Sequence, residues 1–541
     1  MKRIKRYLCF CMLFVFLASM LGGCGDNSTD NKLTELNIGI GSSPVTIDPQ
    51  LISDTGSAQV AVFFTSTLYA YNERRELVPE LAESCDVSDD GLTVTYHLKK
   101  GLRWSNGDPL TSDDFAFAFK RLIDPATKSN SVYLITDCCR ILNAYEINTG
   151  EMSVSELGVY APDDLTFVVK LELPCPYLNS LFTMTNFSPC PREFCNSCGS
   201  SYATSPDTVL SCGPYILDRY EPLATQIHLV RNPDYFNADQ IELPGVTLQV
   251  AADPQQAMMC YSSDQLDIIS VSGELAELAQ GDDHMSEFSV AAVLTLEINH
   301  LSNTALKNRN IRLAIAKSID RESITRNVSR FGYYPMTRVI PPDYYTETDG
   351  TDFARDQTLY DEYMQYEPEK AAEYWAKGLN ELGVSSIHLD YVVNNAQTKY
   401  AEAIKAQLET NLNGLELEII PLPAKEWISR LSGRDYDLIQ SSWVADYADP
   451  TALFQGSLGD GSTNHYFDRD FLDMYDKSFL TYGEERNLLL HKMEDKLMTD
   501  VAMIPLFGAE YNYLIADGVT GFQVNPTGTE PVITGLRKEL K

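Results

Sequence analysis

Residues 78–125 read VPELAESCDVSDDGLTVTYHLKKGLRWSNGDPLTSDDFAFAFKRLIDP, and the hydrophobic period changes once along them. Thr93, Thr95 and His97 alternate with Val94, Tyr96 and Leu98, the period-two signature of a half-buried strand. Asp89-Asp90-Gly91 is a turn leading in, and Ser105-Asn106-Gly107-Asp108 is a turn leading out. The period then lengthens. Thr111 or Ser112 caps a helix whose apolar face includes Phe115, Ala118, Phe119 and Leu122. Strand and helix so close together predict a mixed α/β chain.

The same alternation of periods continues outward. Residues 36–40 form a short strand, GSSPVTIDP follows as a turn-rich loop, and 56–71 carry a helical pattern. Toward the C-terminus, 387–393 are a β-branched strand ending in Asn394-Asn395, 400–412 an amphipathic helix, and 415–420 a second strand. A βαβ unit predicts parallel strands and a right-handed crossover. Loops at the carboxyl ends of such strands form ligand clefts. The stretch DYDLIQSSW (435–443) reads as the next strand and delivers Asp446 to that edge.

The chain has 541 residues, 44% of them hydrophobic, and a net charge of −34. Its length suggests two to four domains. Lysine and arginine are not clustered beyond the leader, so a nucleic-acid partner is not expected. The leader, MKRIKRYLCFCMLFVFLASMLGGC, has four cations before an apolar run, as a secretory signal does. Its end, Leu21-Gly22-Gly23-Cys24, resembles a bacterial lipobox. That resemblance implies a signal peptide over 1–23, acylation of Cys24 and a polar tether over 24–31. No later segment reaches eighteen uninterrupted apolar residues, so the expectation is an anchored protein on the extracytoplasmic face or in the periplasm.

Catalytic motifs are missing from the sequence. There is no GxSxG elbow and no HExxH, and the seven histidines have no ligand spacing. Neither an enzyme, a cofactor nor a bound metal is expected. Asp446 and Asp449 are the one tempting carboxylate pair; Asp449 precedes Pro450, a position typical of turns and caps. The pair therefore reads as one functional and one structural carboxylate. Nine cysteines follow Cys24, an odd number that cannot pair completely. Cys190, Cys195 and Cys198 lie close together in CPREFCNSC. They leave three readings open: free thiols, one or two disulfides, or a zinc site completed by Cys175 or Cys212.

The opening block resembles the signature region of the bacterial extracellular solute-binding proteins of the oligopeptide/dipeptide class, family 5. Leu81-Ala82-Glu83, Ser88-Asp89-Asp90-Gly91, Trp104, Gly107 and Asp113-Asp114 follow that pattern in order. SCGPYIL (211–217), with Cys212 in place of the usual asparagine, resembles a further family segment. LVRNPDYF (229–236), YSSDQLDI (261–268), IRLAIAKSIDRESI (311–324) and SSWVADYADP (441–450) resemble others, so the likeness covers the whole mature chain.

The resemblance implies a periplasmic-binding-protein-like α/β fold of cluster C: two lobes closing over a cleft, plus an extra small domain. Domain I would take 32–75, 205–290 and 500–541, domain II 76–204, and domain III 291–499. The implied function is a monomeric, lipid-anchored protein that captures an oligopeptide or dipeptide ligand and delivers it to the permease and ATPase subunits of an ABC importer. A peptide pheromone receptor without import, or a binder of a non-peptide solute, is the alternative. Asp446 would receive the ligand's α-ammonium, against a plainer role as a solvated loop residue. Trp443 would line a side-chain pocket, or simply pack in the core. Ser43, on a first-lobe loop with Ser42 and Thr46, Tyr133, Asn394 and Tyr447 are further candidate contacts. Gln440 stands where some members carry an arginine for the ligand carboxylate, with Arg430 and Arg434 as possible substitutes.

Overall fold

The computed structural model describes residues 34–221, 225–329, 332–454, 463–528 and 530–539; the leader and Cys24 lie outside the described residues. Among the described residues no helix is long and apolar enough to cross a membrane.

Two long strands organise the molecule. Met285–Ile298 and Met503–Ile515 run antiparallel at the centre of an eleven-stranded sheet. Their ladder breaks register between Ser289 and Val293, so each strand is divided into two halves. On one side of the break, Met503–Ile515 pairs with Ile268–Val271, and the sheet continues through Leu36–Ile40, Gly245–Val250, Gln226–Arg231 and Tyr215–Arg219. On the other side, Met285–Ile298 pairs with Leu438–Val444, followed by Ile387–Asn394 and Leu415–Leu422. The result is two α/β lobes joined by a pair of continuous strands, the architecture expected of a cleft-closing binding protein.

The βαβ unit forms as its periodicity predicts. Ile387–Asn394 and Leu415–Leu422 are parallel and paired from Ile387↔Leu415 to Asn394↔Leu422, with the helix Thr398–Asn411 between them. Leu438–Val444 lies parallel to Ile387–Asn394 at Tyr391 and Val392.

The opening block builds a separate four-stranded antiparallel sheet of Ala82–Val87, Thr93–Leu98, Thr166–Lys170 and Val159–Asp163. The helix Ser112–Ile123 begins at Thr111 with a capping box completed by Asp114. Asp114 also accepts the Trp104 indole N–H at 3.2 Å, which ties the preceding turn to the start of the helix. Phe115 and Phe119 pack on Phe167 with ring centroids 5.7 and 5.2 Å apart.

One element differs from expectation. The 56–71 helical pattern yields a helix only over Thr55–Phe64, and Tyr69–Tyr71 pairs with Leu77–Pro79 as a strand. Tertiary hydrogen bonds end the helix. The Phe64 carbonyl accepts the N–H groups of Cys212 and Gly213, while Glu80 accepts the Thr67 N–H and the Ser66 hydroxyl, both at 2.8 Å. Gly213 is required there, because a Cβ would fall 2.5 Å from the Thr65 carbonyl oxygen. Cys212, at the family's asparagine position, is a buried thiol whose sulfur accepts the Ser66 N–H at 3.3 Å.

Candidate ligand-binding site

Leu438–Val444 leaves the sheet at its carboxyl end and turns at residues 445–450. This turn is held from several directions. The Ala448 N–H donates to the Ser180 hydroxyl at 2.7 Å, and the Tyr447 ring stacks on Tyr177 with centroids 3.9 Å apart. The Tyr344 hydroxyl lies 2.5 and 2.8 Å from the Tyr447 and Asp449 carbonyl oxygens. Asp449 is buried. Its carboxylate accepts the Thr451 N–H and hydroxyl at 3.0 and 2.6 Å and pairs with Arg486 at 2.7 Å.

Asp446 is the turn's other carboxylate. It is half-buried, and the Tyr133 hydroxyl donates to it from 3.5 Å, the long limit of a hydrogen bond. No ion-pair partner for Asp446 occurs among the described residues. Burial raises its pKa above the ordinary carboxylate value, and the Tyr133 hydrogen bond opposes that rise. The carboxylate borders a cavity of ≈ 270 Å³. The first lobe contributes Asp54 and Ala58 from the start of helix Thr55–Phe64, and Asn525, Thr527 and Glu530 from the C-terminal segment. Ser131, Tyr133 and Asn186 come from the segments around the smaller sheet.

Of the residues singled out by sequence, Asp446 and Tyr133 meet at this cavity. The others do not line it. Trp443 is half-buried, packs against the larger core and donates its indole N–H to the Ala452 carbonyl at 2.8 Å. Tyr447 is 1% exposed, its ring facing Tyr177. Gln440 is buried within its lobe, its side-chain oxygen accepting the Tyr391 hydroxyl at 3.1 Å. Asn394 caps the turn after its strand by accepting the Ala396 N–H at 3.0 Å. Ser43 is half-buried on the loop after Leu36–Ile40. Arg430 is paired with Asp435 at 2.7 Å, and Arg434 ends the helix Ala424–Gly433 in the left-handed conformation.

Sequence reasoning missed Asp54, Asn186 and Glu530. Asp54 carries a local signal, but it is that of a helix N-cap, accepting the Ser57 N–H at 2.9 Å. The nine described cysteines are free thiols, and Cys190, Cys195 and Cys198 do not form a metal cage. The one metal-compatible grouping among the described residues is His388, Asp390 and Glu418, on an open face of the βαβ strands.

The comparisons with known proteins agree with this architecture. The family described as bacterial extracellular solute-binding proteins, family 5 Middle, matches residues 76–465, and the chain belongs to that family. The dipeptide-binding protein of Lactococcus lactis is 27% identical over 536 residues, covering 96% of this chain and 94% of its own length. The peptide-bound structure of Listeria monocytogenes OppA is 27% identical with a TM-score of 0.72, covering 94% of this chain and 99% of its own. The substrate-binding domain of an oligopeptide ABC transporter from Bacillus anthracis is likewise 27% identical, with a TM-score of 0.72 over 93% of this chain and 98% of its own.

Proposed function

We propose that this protein captures peptides between its two lobes and delivers them to an ABC importer. The observation that carries the reading is Asp446: a carboxylate short of water, without a cationic partner among the described residues, at a cavity between lobes. A buried charge needs a partner, and the α-ammonium of a peptide supplies both charge and hydrogen-bond donors. Relatives named for dipeptide and oligopeptide binding support the choice of ligand. The extended ligand would add main-chain hydrogen bonds in the manner of an extra strand.

The reading includes an acylated Cys24, a tether over 24–31, a monomer on the extracytoplasmic face of the membrane, and the three-domain division set out above. It excludes catalysis by the Asp446/Asp449 pair, because Asp449 is committed to Arg486 and Thr451. Native mass spectrometry of the purified mature protein tests it. A mass increment corresponding to peptides, lost on denaturation, is expected; turnover of a glycoside or ester in place of stable ligand would overturn it. Loss of membrane association on Cys24→Ala tests the anchor.

A further inference from the structure

Asn186 lines the cavity at Asp446 and is only 4% exposed. Its amide nitrogen donates to two backbone carbonyls at the turn Pro49–Leu51, those of Pro49 at 3.2 Å and Ile52 at 2.9 Å. The amide cannot turn over, because its oxygen would then meet two carbonyl oxygens. The contact is reciprocal. The buried Gln50 amide donates back to the Asn186 and Ser188 carbonyls at 3.4 and 3.1 Å. The side-chain oxygen Oδ1 has no hydrogen-bond donor among the described residues, and it is not sealed within the protein. It therefore opens onto the cavity as an acceptor held in one orientation. Several neighbouring polar groups are already engaged. The Ser131 hydroxyl donates to the Ile52 carbonyl at 2.6 Å and the Thr183 hydroxyl to the Ser180 carbonyl at 2.8 Å, while Asp54 accepts the Ser57 N–H and hydroxyl at 2.9 and 2.6 Å.

Resting on the peptide reading, we propose that Asn186 is a specificity-determining residue: its side-chain oxygen accepts a hydrogen bond from the side chain of the ligand's first residue. At ≈ 270 Å³ the cavity falls just below the roughly 300–1,000 Å³ of pockets that enclose a whole ligand, so it holds one end of a peptide. With the α-ammonium at Asp446, the first side chain leaves the adjacent Cα and fills the same cavity. Filling it displaces water from Asn186 Oδ1, and a buried acceptor left without a donor is costly. A first residue that carries a donor, such as threonine, serine, asparagine or glutamine, replaces that water. An apolar side chain of the same shape does not. Because the amide is already fixed by Pro49 and Ile52, little ordering is needed when the ligand arrives.

The test is calorimetry on the full mature protein with Thr-Ala-Ala and Val-Ala-Ala, which differ by a hydroxyl in place of a methyl. Thr-Ala-Ala is expected to bind about tenfold tighter, the scale of one acceptor satisfied or left bare. In Asn186→Leu and Asn186→Ala the ratio of the two affinities should fall toward one, with thermal melts verifying that the variants are folded. Both substitutions also delete the bonds to Pro49 and Ile52. If neither variant folds, a crystal structure of the wild-type protein with Thr-Ala-Ala decides: the ligand hydroxyl within hydrogen-bond distance of Asn186 Oδ1 supports the inference, and any other partner overturns it. Equal binding of the two peptides to the wild type overturns the inference and leaves the peptide reading standing. A threonine advantage unmoved in a folded variant also overturns it. Failure of both peptides to bind brings down the peptide reading and this inference with it.

Discussion

Asp449 and Arg486 form an ion pair closed off from solvent: the guanidinium reaches the carboxylate at 2.7 Å, and the two side chains are 2% and 4% exposed. Three residues earlier, Asp446 faces a cavity, and among the described residues its one side-chain hydrogen bond is from the distant Tyr133 hydroxyl. Two aspartates in one turn thus have opposite assignments. The partner of one is built into the fold, while the other borders the cavity with no ion-pair partner among the described residues.

Removing Asp449 should therefore cost stability. Asp449→Ala leaves the Arg486 guanidinium buried and unpaired, and about 3–5 kcal/mol is the usual cost of breaking such a pair from one side. Burial already works against the Arg486 charge, and Asp449 outweighs it to raise the arginine's pKa. Urea denaturation should show a lower midpoint with an unchanged slope.

Removing Asp446 should cost affinity instead. Asp446→Ala should weaken binding of a free-amino peptide by about 2–5 kcal/mol, measured by calorimetry. N-acetylating the peptide should reproduce the loss, and the two changes should not add, since both delete the same contact. Burial raises the Asp446 pKa, so the carboxylate of the free protein takes up its proton at a higher pH than an exposed aspartate. Affinity for free-amino peptides should fall as the pH drops through that raised value. Affinity for N-acetyl peptides should not follow it.

Asp114 gives a stability signal with the opposite pH direction. Burial pushes its pKa up to about 6, despite the hydrogen bonds from Thr111 and Trp104. The unfolded chain should titrate it near about 3.9. A raised folded-state pKa means that stability is fully present below the unfolded value and is lost as the pH rises toward 6. The two-unit difference corresponds to about 3 kcal/mol. Between pH 4 and 6, the stability of the wild type relative to Asp114→Asn should decline, then level off above pH 6. Urea midpoints at four or five pH values measure it.

Gly508 sits where the two long strands resume register, opposite Val293. A Cβ there would fall 2.2 Å from the Tyr334 ring. Gly508→Ala should destabilise the fold by about 1–3 kcal/mol through overpacking. Combining it with Tyr334→Ala should remove most of that penalty, a coupling readable from a double-mutant cycle of thermal melts.

Much of the fold was legible because it rests on local period and turn chemistry. The strand Thr93–Leu98, the capped helix Ser112–Ile123 and the unit from Ile387 to Leu422 each carry their pattern within a few residues. The 56–71 helix was overextended because its end is imposed from afar, by Cys212, Gly213 and Glu80. Tyr447 and Trp443 flank Asp446 in sequence, yet they turn to Tyr177 and Ala452 instead of the cavity. Adjacency along the chain says little about facing once a strand has become a turn.

By itself, then, the sequence determined the elements, the family likeness and the candidacy of Asp446, since these depend on residues near one another in the chain. Only the tertiary structure decided what surrounds that carboxylate. Tyr133 lies 313 residues from Asp446, and Asp54 and Glu530 approach it from opposite ends of the chain. Such contacts leave no periodic trace, because each residue separately satisfies a local role as a cap, a turn or a loop. Their common electrostatic environment exists only when the two lobes and the small sheet are brought together and water is displaced from between them.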